Sequence, residues 1–295
     1  MAQVKAQPRS NPLQRVLDEI ESLGLNDNLI ELEAKGYTTL KGVLSVDQID
    51  RAKEKILHRA ENQFGHSFDI ENETSDKLEG GTYLPYMLYD DQVFEEILME
   101  PKPLALITYL LGESCLLSSI GCHFKAPGGH PLPLHSDNGN GMPAPFSDIS
   151  QVANVNYALT PYSKEAGALA MVPGSHKLAR QPTVPEMMLG QSKANPHAVS
   201  MDLDPGDCVV WHGNTWHGSF ARVNPGIRMN LAVYFSRQYI QTQERHGDVV
   251  PEEVLLRHAN NGRFKTLVAQ NQPYGWQKSG PDYELMARNP RGLYD

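Results

Sequence analysis

Residues 208–235 read CVVWHGNTWHGSFARVNPGIRMNLAVYF, and this pattern favours a fold built from β-strands. Two runs rich in β-branched and aromatic residues, Cys208–His212 and Met229–Phe235, flank a polar stretch that contains the turn sequence Val223-Asn-Pro-Gly226. Short runs bounded by Gly, Pro and Asn are typical of all-β sandwiches and barrels. Three further runs of this kind are Leu116–Phe124, Val152–Leu159 and Ala168–Val172. We therefore predict a β-barrel core.

Helical patterns lie on both sides of these runs. Asn11 and Pro12 begin an amphipathic stretch that Gly24 can end. Ser45 and Gln48 form a capping box ahead of a second apolar helical face. Other helical stretches are predicted at 28–35, 92–99, 103–111 and 252–258, with a strand at 37–44 and an irregular loop at 62–81. The predicted core thus has helical flanks.

The 295 residues contain no internal repeat and no long low-complexity linker, so we expect one domain. Its three predicted parts are a mostly helical N-terminal part (1–111), a β core (112–240) and a helical C-terminal part (241–295). The hydrophobic content of 40% and the charged content of 21% are ordinary for a globular protein.

Charge and cysteine content exclude several classes of protein. A net charge of −9 provides no overall positive field for a phosphate backbone or an anionic membrane, which argues against both partners. The first twelve residues hold no apolar signal-peptide core, and no run of about 18 apolar residues occurs, so we expect a cytoplasmic protein. Three cysteines without a CxxC pair predict buried thiols rather than disulfides or a zinc site. The sequence does not indicate an oligomeric state.

His135-Ser136-Asp137 is the first motif that indicates chemistry. Residues two apart on a strand point to the same side, so an imidazole and a carboxylate could face one ion. His217 follows eighty positions after Asp137 and can come from another strand. Two histidines and one carboxylate leave one face of a metal open, as iron(II) oxygenases require. An isolated HxD triplet also occurs in surface turns, and His212, which has the wrong strand parity, is predicted to be structural.

Arg228 follows His217 after eleven residues and strengthens this interpretation. A hairpin centred on the intervening turn would bring Arg228 alongside Ser219. A guanidinium can bind a carboxylate with two hydrogen bonds, and a serine hydroxyl adds a donor. The distal carboxylate of 2-oxoglutarate needs such a site. The alternative, a surface arginine paired with an acid, is disfavoured because Met229 and Leu231 are apolar neighbours.

The chain resembles the phytanoyl-CoA dioxygenase family of iron(II)/2-oxoglutarate oxygenases, which includes ectoine hydroxylases and many bacterial tailoring enzymes. Segments that carry the resemblance are 36–45, Lys125-Ala-Pro-Gly128 before the HxD triplet, 167–177, Gly206-Asp207 and the pair His217 and Arg228. The resemblance implies a mainly β fold with flanking helices, namely a double-stranded β-helix (a cupin-like jelly-roll barrel). It also implies Fe(II), 2-oxoglutarate as co-substrate and O2.

The resemblance assigns individual roles as well. It implies that His135, Asp137 and His217 are the iron ligands, and that Arg228 and Ser219 hold the distal carboxylate of 2-oxoglutarate. Two further positions near the co-substrate match less well. Asn156 stands where some members carry a tryptophan, and His123 stands where ectoine hydroxylases have an asparagine. Each could donate a hydrogen bond to 2-oxoglutarate or simply pack in the core.

The reaction is predicted to be hydroxylation of a small, partly apolar metabolite, with release of succinate and CO2. Asp137 is present, whereas related halogenases carry a small residue at this position. Only Gly141-Met-Pro143 resembles the ectoine signature, and no basic cluster suits coenzyme A. The loops 138–151 and 181–196 are predicted to cover the site, and Met142 and Phe146 suggest apolar contacts. Desaturation, cyclisation, a zinc hydrolase and a non-catalytic small-molecule-binding barrel remain alternatives.

Overall fold

The structure of the chain is a computed structural model. It describes residues 11–74, 78, 81–139, 141–190, 194–270, 276–277, 279–281 and 283. Of the three predicted parts, the ends at 1–10 and 284–295 lie outside the described residues. So do most of residues 271–283, residues 75–77 and 79–80 of the predicted irregular loop, and residues 140 and 191–193 of the two predicted covering loops.

The six predicted helices are present, and two short helices near the C-terminus were not predicted. The helices of the described residues are α1 (Pro12–Ser22), α2 (Asn26–Lys35), α3 (Val46–Phe64), α4 (Gln92–Leu98), α5 (Pro101–Leu111), α6 (His246–Val249), α7 (Glu252–Arg257) and α8 (Gly262–Leu267). The side chain of Asn11 accepts a hydrogen bond from the backbone of Leu13, and Ser45 with Gln48 forms the predicted capping box. Both contacts satisfy backbone N–H groups that the first helical turn leaves without partners.

In the part of the chain that the structure describes, ten strands form two antiparallel sheets, and a separate short pair lies near the C-terminus. The strands are β1 (Tyr37–Leu40), β2 (Thr82–Leu84), β3 (Leu116–Lys125), β4 (Leu132–His135), β5 (Val152–Ala158), β6 (Leu169–Met171), β7 (Val199–Ser200), β8 (Cys208–His212), β9 (His217–Ser219), β10 (Arg228–Ser236), β11 (Trp276–Gln277) and β12 (Gly280–Pro281). The major sheet has the order β1-β8-β5-β10-β3-β2, and the minor sheet has the order β4-β9-β6-β7. This is the predicted double-stranded β-helix with helical flanks.

The five apolar runs that decided the prediction correspond to β3, β5, β6, β8 and β10. The strands β2 and β7 were not predicted, because two or three residues are too few to show an alternating pattern. Strand β1 is shorter than the predicted 37–44. It ends at Leu40 because Gly42 adopts a positive φ of 57°, which turns the chain away from the sheet.

Alternation along β10 divides the major sheet into two faces. One face packs in the large core with the helices, and its β10 residues are Met229, Leu231, Val233 and Phe235. The other face points into the barrel, towards the minor sheet. On β8, Val209 and Trp211 belong to this inner face, because they pack against the minor-sheet residues Leu169 and Met171. Strand register places Trp211, Asn154 and Tyr234 side by side on this inner face.

The predicted hairpin between His217 and Arg228 is wrong. Strand β9 pairs with β4 and β6 in the minor sheet, whereas β10 pairs with β3 and β5 in the major sheet. The intervening turn carries the chain from one sheet to the other. Its backbone is bonded to the loop that follows α3, since Gly226 N–H donates to the carbonyl of Glu73 and Ile227 N–H to that of Ile70, both at 2.7 Å.

Cys115, Cys122 and Cys208 are all buried and free, as predicted. None of the helices in the described part of the chain combines the length and the apolar character that crossing a bilayer requires.

Candidate metal centre

His135, Asp137 and His217 come together between the two sheets. Strand register pairs His135 at the end of β4 directly with His217 at the start of β9. His135 Nε2 lies 3.7 Å from Asp137 Oδ1, and His217 Nε2 lies 3.6 Å from Asp137 Oδ2. One ligand atom from each residue lies within 4.8 Å of the other two. The three side chains can therefore contact one ion.

The local backbone differs from the prediction that both HxD side chains share a strand. Strand β4 ends at His135, and Asp137 begins a 3-10 turn. The residue between them, Ser136, is held on both sides. The Gln181 amide accepts from Ser136 N–H at 2.9 Å and donates to its carbonyl at 2.7 Å, while the carbonyl of Gly213 accepts from Ser136 Oγ and from Asp137 N–H. These hydrogen bonds hold the turn that directs the Asp137 carboxylate towards the two imidazoles.

In each of the two imidazoles, one ring nitrogen is hydrogen-bonded to a backbone carbonyl. Nδ1 of His135 lies 3.0 Å from the carbonyl of Pro133, and Nδ1 of His217 lies 3.0 Å from that of Thr215. Because a carbonyl only accepts, each Nδ1 carries the proton and each Nε2 is left to bind a metal. Burial lowers the pKa of His217, although the carboxylate of Asp137 opposes this effect. A low pKa keeps the ring neutral, as ligation requires.

Asp137 is oriented from the opposite sheet. The side-chain amide of Asn154 on β5 donates to Asp137 Oδ2 at 2.8 Å. Contacts of this kind orient ligands in metal sites. Sequence reasoning missed Asn154 and Gln181. Asn154 could have been found from strand parity, since it lies two residues before Asn156 on the same face, whereas nothing in the sequence marks Gln181.

The three side chains form the kind of donor set that the expected metal prefers. Two neutral imidazole nitrogens and one carboxylate suit Fe(II), and a facial arrangement leaves positions for a co-substrate and O2. No other group of three His, Cys, Asp or Glu side chains with this proximity occurs among the residues that the structure describes. The residues present therefore fit the metal.

Arg228 lies on the inner face of the major sheet and is buried, with 3% of its surface exposed. Nη1 donates to the carbonyl of Gly167, and the guanidinium lies 5.4 Å from the ring centroid of Tyr162. Nε has no hydrogen-bond partner within the described residues. A buried donor without a partner is costly, and a bound carboxylate would satisfy it.

Ser219 is also buried, but it reaches the barrel from the other sheet. Strand register places it beside Leu132 of β4 and Leu169 of β6 in the minor sheet. The two residues predicted to hold the distal carboxylate therefore belong to facing sheets, not to adjacent strands of a hairpin.

His123 and Asn156 both lie on the inner face. Burial, followed by the charges of Arg228, Lys125 and His217, lowers the pKa of His123 to about 3. His123 is therefore a neutral side chain close to Arg228. Asn156 Oδ1 accepts a hydrogen bond from Asn230 Nδ2 at 2.7 Å. The roles of His123 and Asn156 at the co-substrate stay predictions.

His212 has the structural role that its strand parity predicted. Its Nε2 lies 3.2 Å from the carbonyl of Asp148, and its Nδ1 accepts from the backbone of Asn214 at 3.0 Å. Burial lowers the pKa of His212 to about 4, so it remains neutral. With both ring nitrogens used, His212 is not available to a metal.

Comparisons with known proteins agree with this site. The profile of the phytanoyl-CoA dioxygenase (PhyH) family matches residues 32–230. Dioxygenase af480 of Aspergillus fumigatus is 28% identical over 256 residues, which cover 84% of this chain and 78% of that protein.

Two solved structures have a similar fold. One is HygX from Streptomyces hygroscopicus with nickel and 2-oxoglutarate bound, with a TM-score of 0.58 at 16% identity. The match covers 74% of this chain and 88% of the HygX chain. The other is the epimerase SnoN in complex with Fe3+, alpha ketoglutarate and nogalamycin RO, with a TM-score of 0.53 at 21% identity. This match covers 73% of this chain and 84% of the SnoN chain.

The family match and the His-Asp-His site together confirm the prediction of a dioxygenase that depends on iron, 2-oxoglutarate and O2. Since the family profile spans most of the chain and includes all three residues of this site, the chain belongs to the phytanoyl-CoA dioxygenase (PhyH) family.

Proposed function

We propose that this dioxygenase hydroxylates a small, partly apolar metabolite and releases succinate and CO2. The observation that carries the proposal is the convergence of two Nε2 atoms and one carboxylate within 4.8 Å, with both Nδ1 atoms bonded to the backbone. His135, Asp137 and His217 are the proposed iron ligands. Iron(II) with 2-oxoglutarate and O2 supplies the oxidising power for the reaction.

The residues around the proposed iron site position the co-substrate. Arg228 binds the distal carboxylate of 2-oxoglutarate through its unpartnered Nε–H, and Ser219 adds a hydroxyl donor from the facing sheet. His123 is neutral, so it donates a hydrogen bond without adding charge. The amide oxygen of Asn156 accepts a hydrogen bond from Asn230, and its amide nitrogen is the proposed second neutral donor.

Access to the proposed site is from the side of His135, whose side chain is 34% exposed while that of His217 is 8% exposed. Of the two loop residues that suggested an apolar substrate, Phe146 is buried and Met142 is half-buried. Phe146 is therefore a packing residue. Met142 and the exposed Ile149 of the same loop remain the support for a partly apolar substrate.

Desaturation, cyclisation or epimerisation are alternatives on the same scaffold. The proteins with similar structures include the epimerase SnoN and the carbocyclase SnoK. The mass of the product separates these reactions. Hydroxylation adds one oxygen atom, desaturation and oxidative ring closure each remove two hydrogens, and epimerisation leaves the mass unchanged.

The test is succinate formation from 2-oxoglutarate by the iron-loaded protein in air, with and without pooled metabolites. We expect succinate that rises with one pool and is lost in His135→Ala. His58→Ala is the matched control, because His58 is exposed on α3 and its ring is hydrogen-bonded to Asn62. Absence of succinate from wild type under every condition, with iron bound, would favour a non-catalytic binding protein.

A further inference from the structure

Two buried cations stand directly opposite each other on neighbouring strands. Register pairs Arg228 of β10 with Lys125 of β3, and their exposed fractions are 3% and 7%. Like charges at directly opposite positions of an antiparallel pair destabilise it, and burial increases the repulsion because the surroundings screen it less than water does.

No acid relieves this repulsion within the described residues. Lys125 Nζ donates to the carbonyls of His130 and Phe220 at 3.3 and 3.2 Å, and Arg228 Nη1 donates to the carbonyl of Gly167. Both distances of Lys125 are long for a charged donor, and an ammonium has a third N–H to offer. Backbone carbonyls solvate the two cations but do not neutralise them.

A third cation belongs to the same group. Arg222 is buried, and its guanidinium donates only to the backbone carbonyls of Ala166, Pro225 and Gly226. Burial, and then the charge of Arg228, lower the pKa of Arg222 to about 10 and that of Lys125 to about 8. Lys125, Arg222 and Arg228, here called the cation cluster, therefore form a buried region of uncompensated positive charge.

We propose that Lys125 binds the distal carboxylate of 2-oxoglutarate together with Arg228. The inference rests on the proposed function, which supplies the anion. A carboxylate has two oxygens and about four acceptor positions, so it can accept from the guanidinium and from the ammonium at once. Its negative charge converts the repulsion between the two strands into attraction to a shared anion.

A purely structural role for Lys125 predicts a different result. If Lys125 served only to tie β3 to the carbonyl of Phe220, its removal would lower the stability of the protein without 2-oxoglutarate. If the proposal is right, removing one of two opposed like charges leaves that stability unchanged or raises it, while the stabilisation by 2-oxoglutarate falls.

The experiment compares wild type with Lys125→Met and Lys125→Gln, each loaded with Fe(II) without oxygen. Calorimetry and the charge-transfer absorbance of the iron chelate measure the Kd for 2-oxoglutarate, and thermal unfolding is followed with and without it. Lys125→Gln keeps a donor for the carbonyls but removes the charge. The control is Lys164→Met, because Lys164 also contacts Phe220, with Nζ 5.2 Å from its ring centroid, but is exposed.

We expect both Lys125 variants to bind 2-oxoglutarate about 10-fold to 100-fold more weakly, as the loss of a charged hydrogen bond implies. Iron affinity and the Tm without 2-oxoglutarate should not fall, and Lys164→Met should match wild type. Wild-type affinity for 2-oxoglutarate in Lys125→Gln would overturn the inference about Lys125, and so would a lower Tm in both variants with unchanged affinity. Either outcome would leave the proposed function standing. Wild type that binds iron but not 2-oxoglutarate would overturn the proposed function as well.

Discussion

The two faces of the major sheet differ in composition although they share the same strands. On the outer face, Met229, Leu231, Val233 and Phe235 of β10 pack in the apolar core with the helices. The residues between them, Arg228, Asn230, Ala232 and Tyr234, face the barrel. The inner face is largely buried as well, yet most of its residues are polar or charged. Burial alone therefore does not distinguish the two faces.

Polar groups on the inner face are incompletely satisfied, and this difference indicates where the function lies. Asn230 Oδ1 and Arg228 Nε are buried without hydrogen-bond partners in the described residues. Buried polar groups without partners reduce the stability of the fold unless a ligand forms the missing hydrogen bonds. The outer face contributes stability through apolar burial, whereas the inner face keeps unpaired donors and acceptors for a bound molecule.

The largest effect is expected from Asp137→Ala on the inner side. The variant removes one of three proposed iron ligands, so bound iron and succinate formation should fall to background. Unfolding by heat should change little, because Asp137 lies in a turn outside the apolar core. Iron content and succinate are measured on the same sample. Wild-type turnover in this variant would remove the metal assignment.

Leu231→Ala tests the outer face. Leu231 is fully buried, so the truncation should cost about 2–5 kcal/mol in the free energy of unfolding, from lost burial and the cavity left behind. Denaturant unfolding measures the loss. Iron binding per folded molecule should stay at the wild-type level, and a selective loss of iron affinity would show that the two faces are not separable.

Arg228→Ala should weaken 2-oxoglutarate binding on the order of 10-fold to 100-fold while iron affinity is kept. The guanidinium supplies the unpartnered Nε–H and a charge, and the variant removes both. Calorimetric titration of the iron-loaded protein measures the effect. Arg245→Ala is a suitable control, since the exposed Arg245 pairs with Asp248 at the surface. Equal affinity in wild type and Arg228→Ala would exclude the proposed carboxylate site.

Asn154→Leu should give the smallest of these effects. The variant removes the hydrogen bond to Asp137 Oδ2 but keeps all three proposed ligands. Loss of such a contact lowers metal affinity about 10-fold to 100-fold, and we expect the lower end because the Gln181 clamp on Ser136 remains. Competition with a metal chelator measures the change. Unaltered affinity would mean that the bonds to Ser136 alone fix Asp137.

Much of the fold could be predicted because its signals are local. Helix ends depend on residues such as Asn11, Ser45 and Gly36, and the longer strands show their β-branched runs directly in the sequence. The sheet to which a strand belongs is not a local property. The turn before Arg228 has hairpin composition, yet its backbone bonds to the loop after α3 and directs the chain into the other sheet.

The site was predicted to a similar extent. The residues His135, Asp137 and His217 carry a recognisable spacing, and the structure brings them together. The residues that orient or surround these three side chains have no recognisable spacing in the sequence. Asn154 is 17 positions from Asp137, and Gln181 is 45 positions from Ser136, so only the folded chain shows these pairs. The opposition of Lys125 and Arg228 likewise depends on strand register.

An anaerobic titration of the protein with Fe(II) and then 2-oxoglutarate, followed by visible absorbance, tests most directly whether the inner face holds an iron site beside a 2-oxoglutarate site. We expect a charge-transfer band that requires both components and is absent in His217→Ala. Wild-type protein that binds iron but gives no band at saturating 2-oxoglutarate would contradict this pairing of sites.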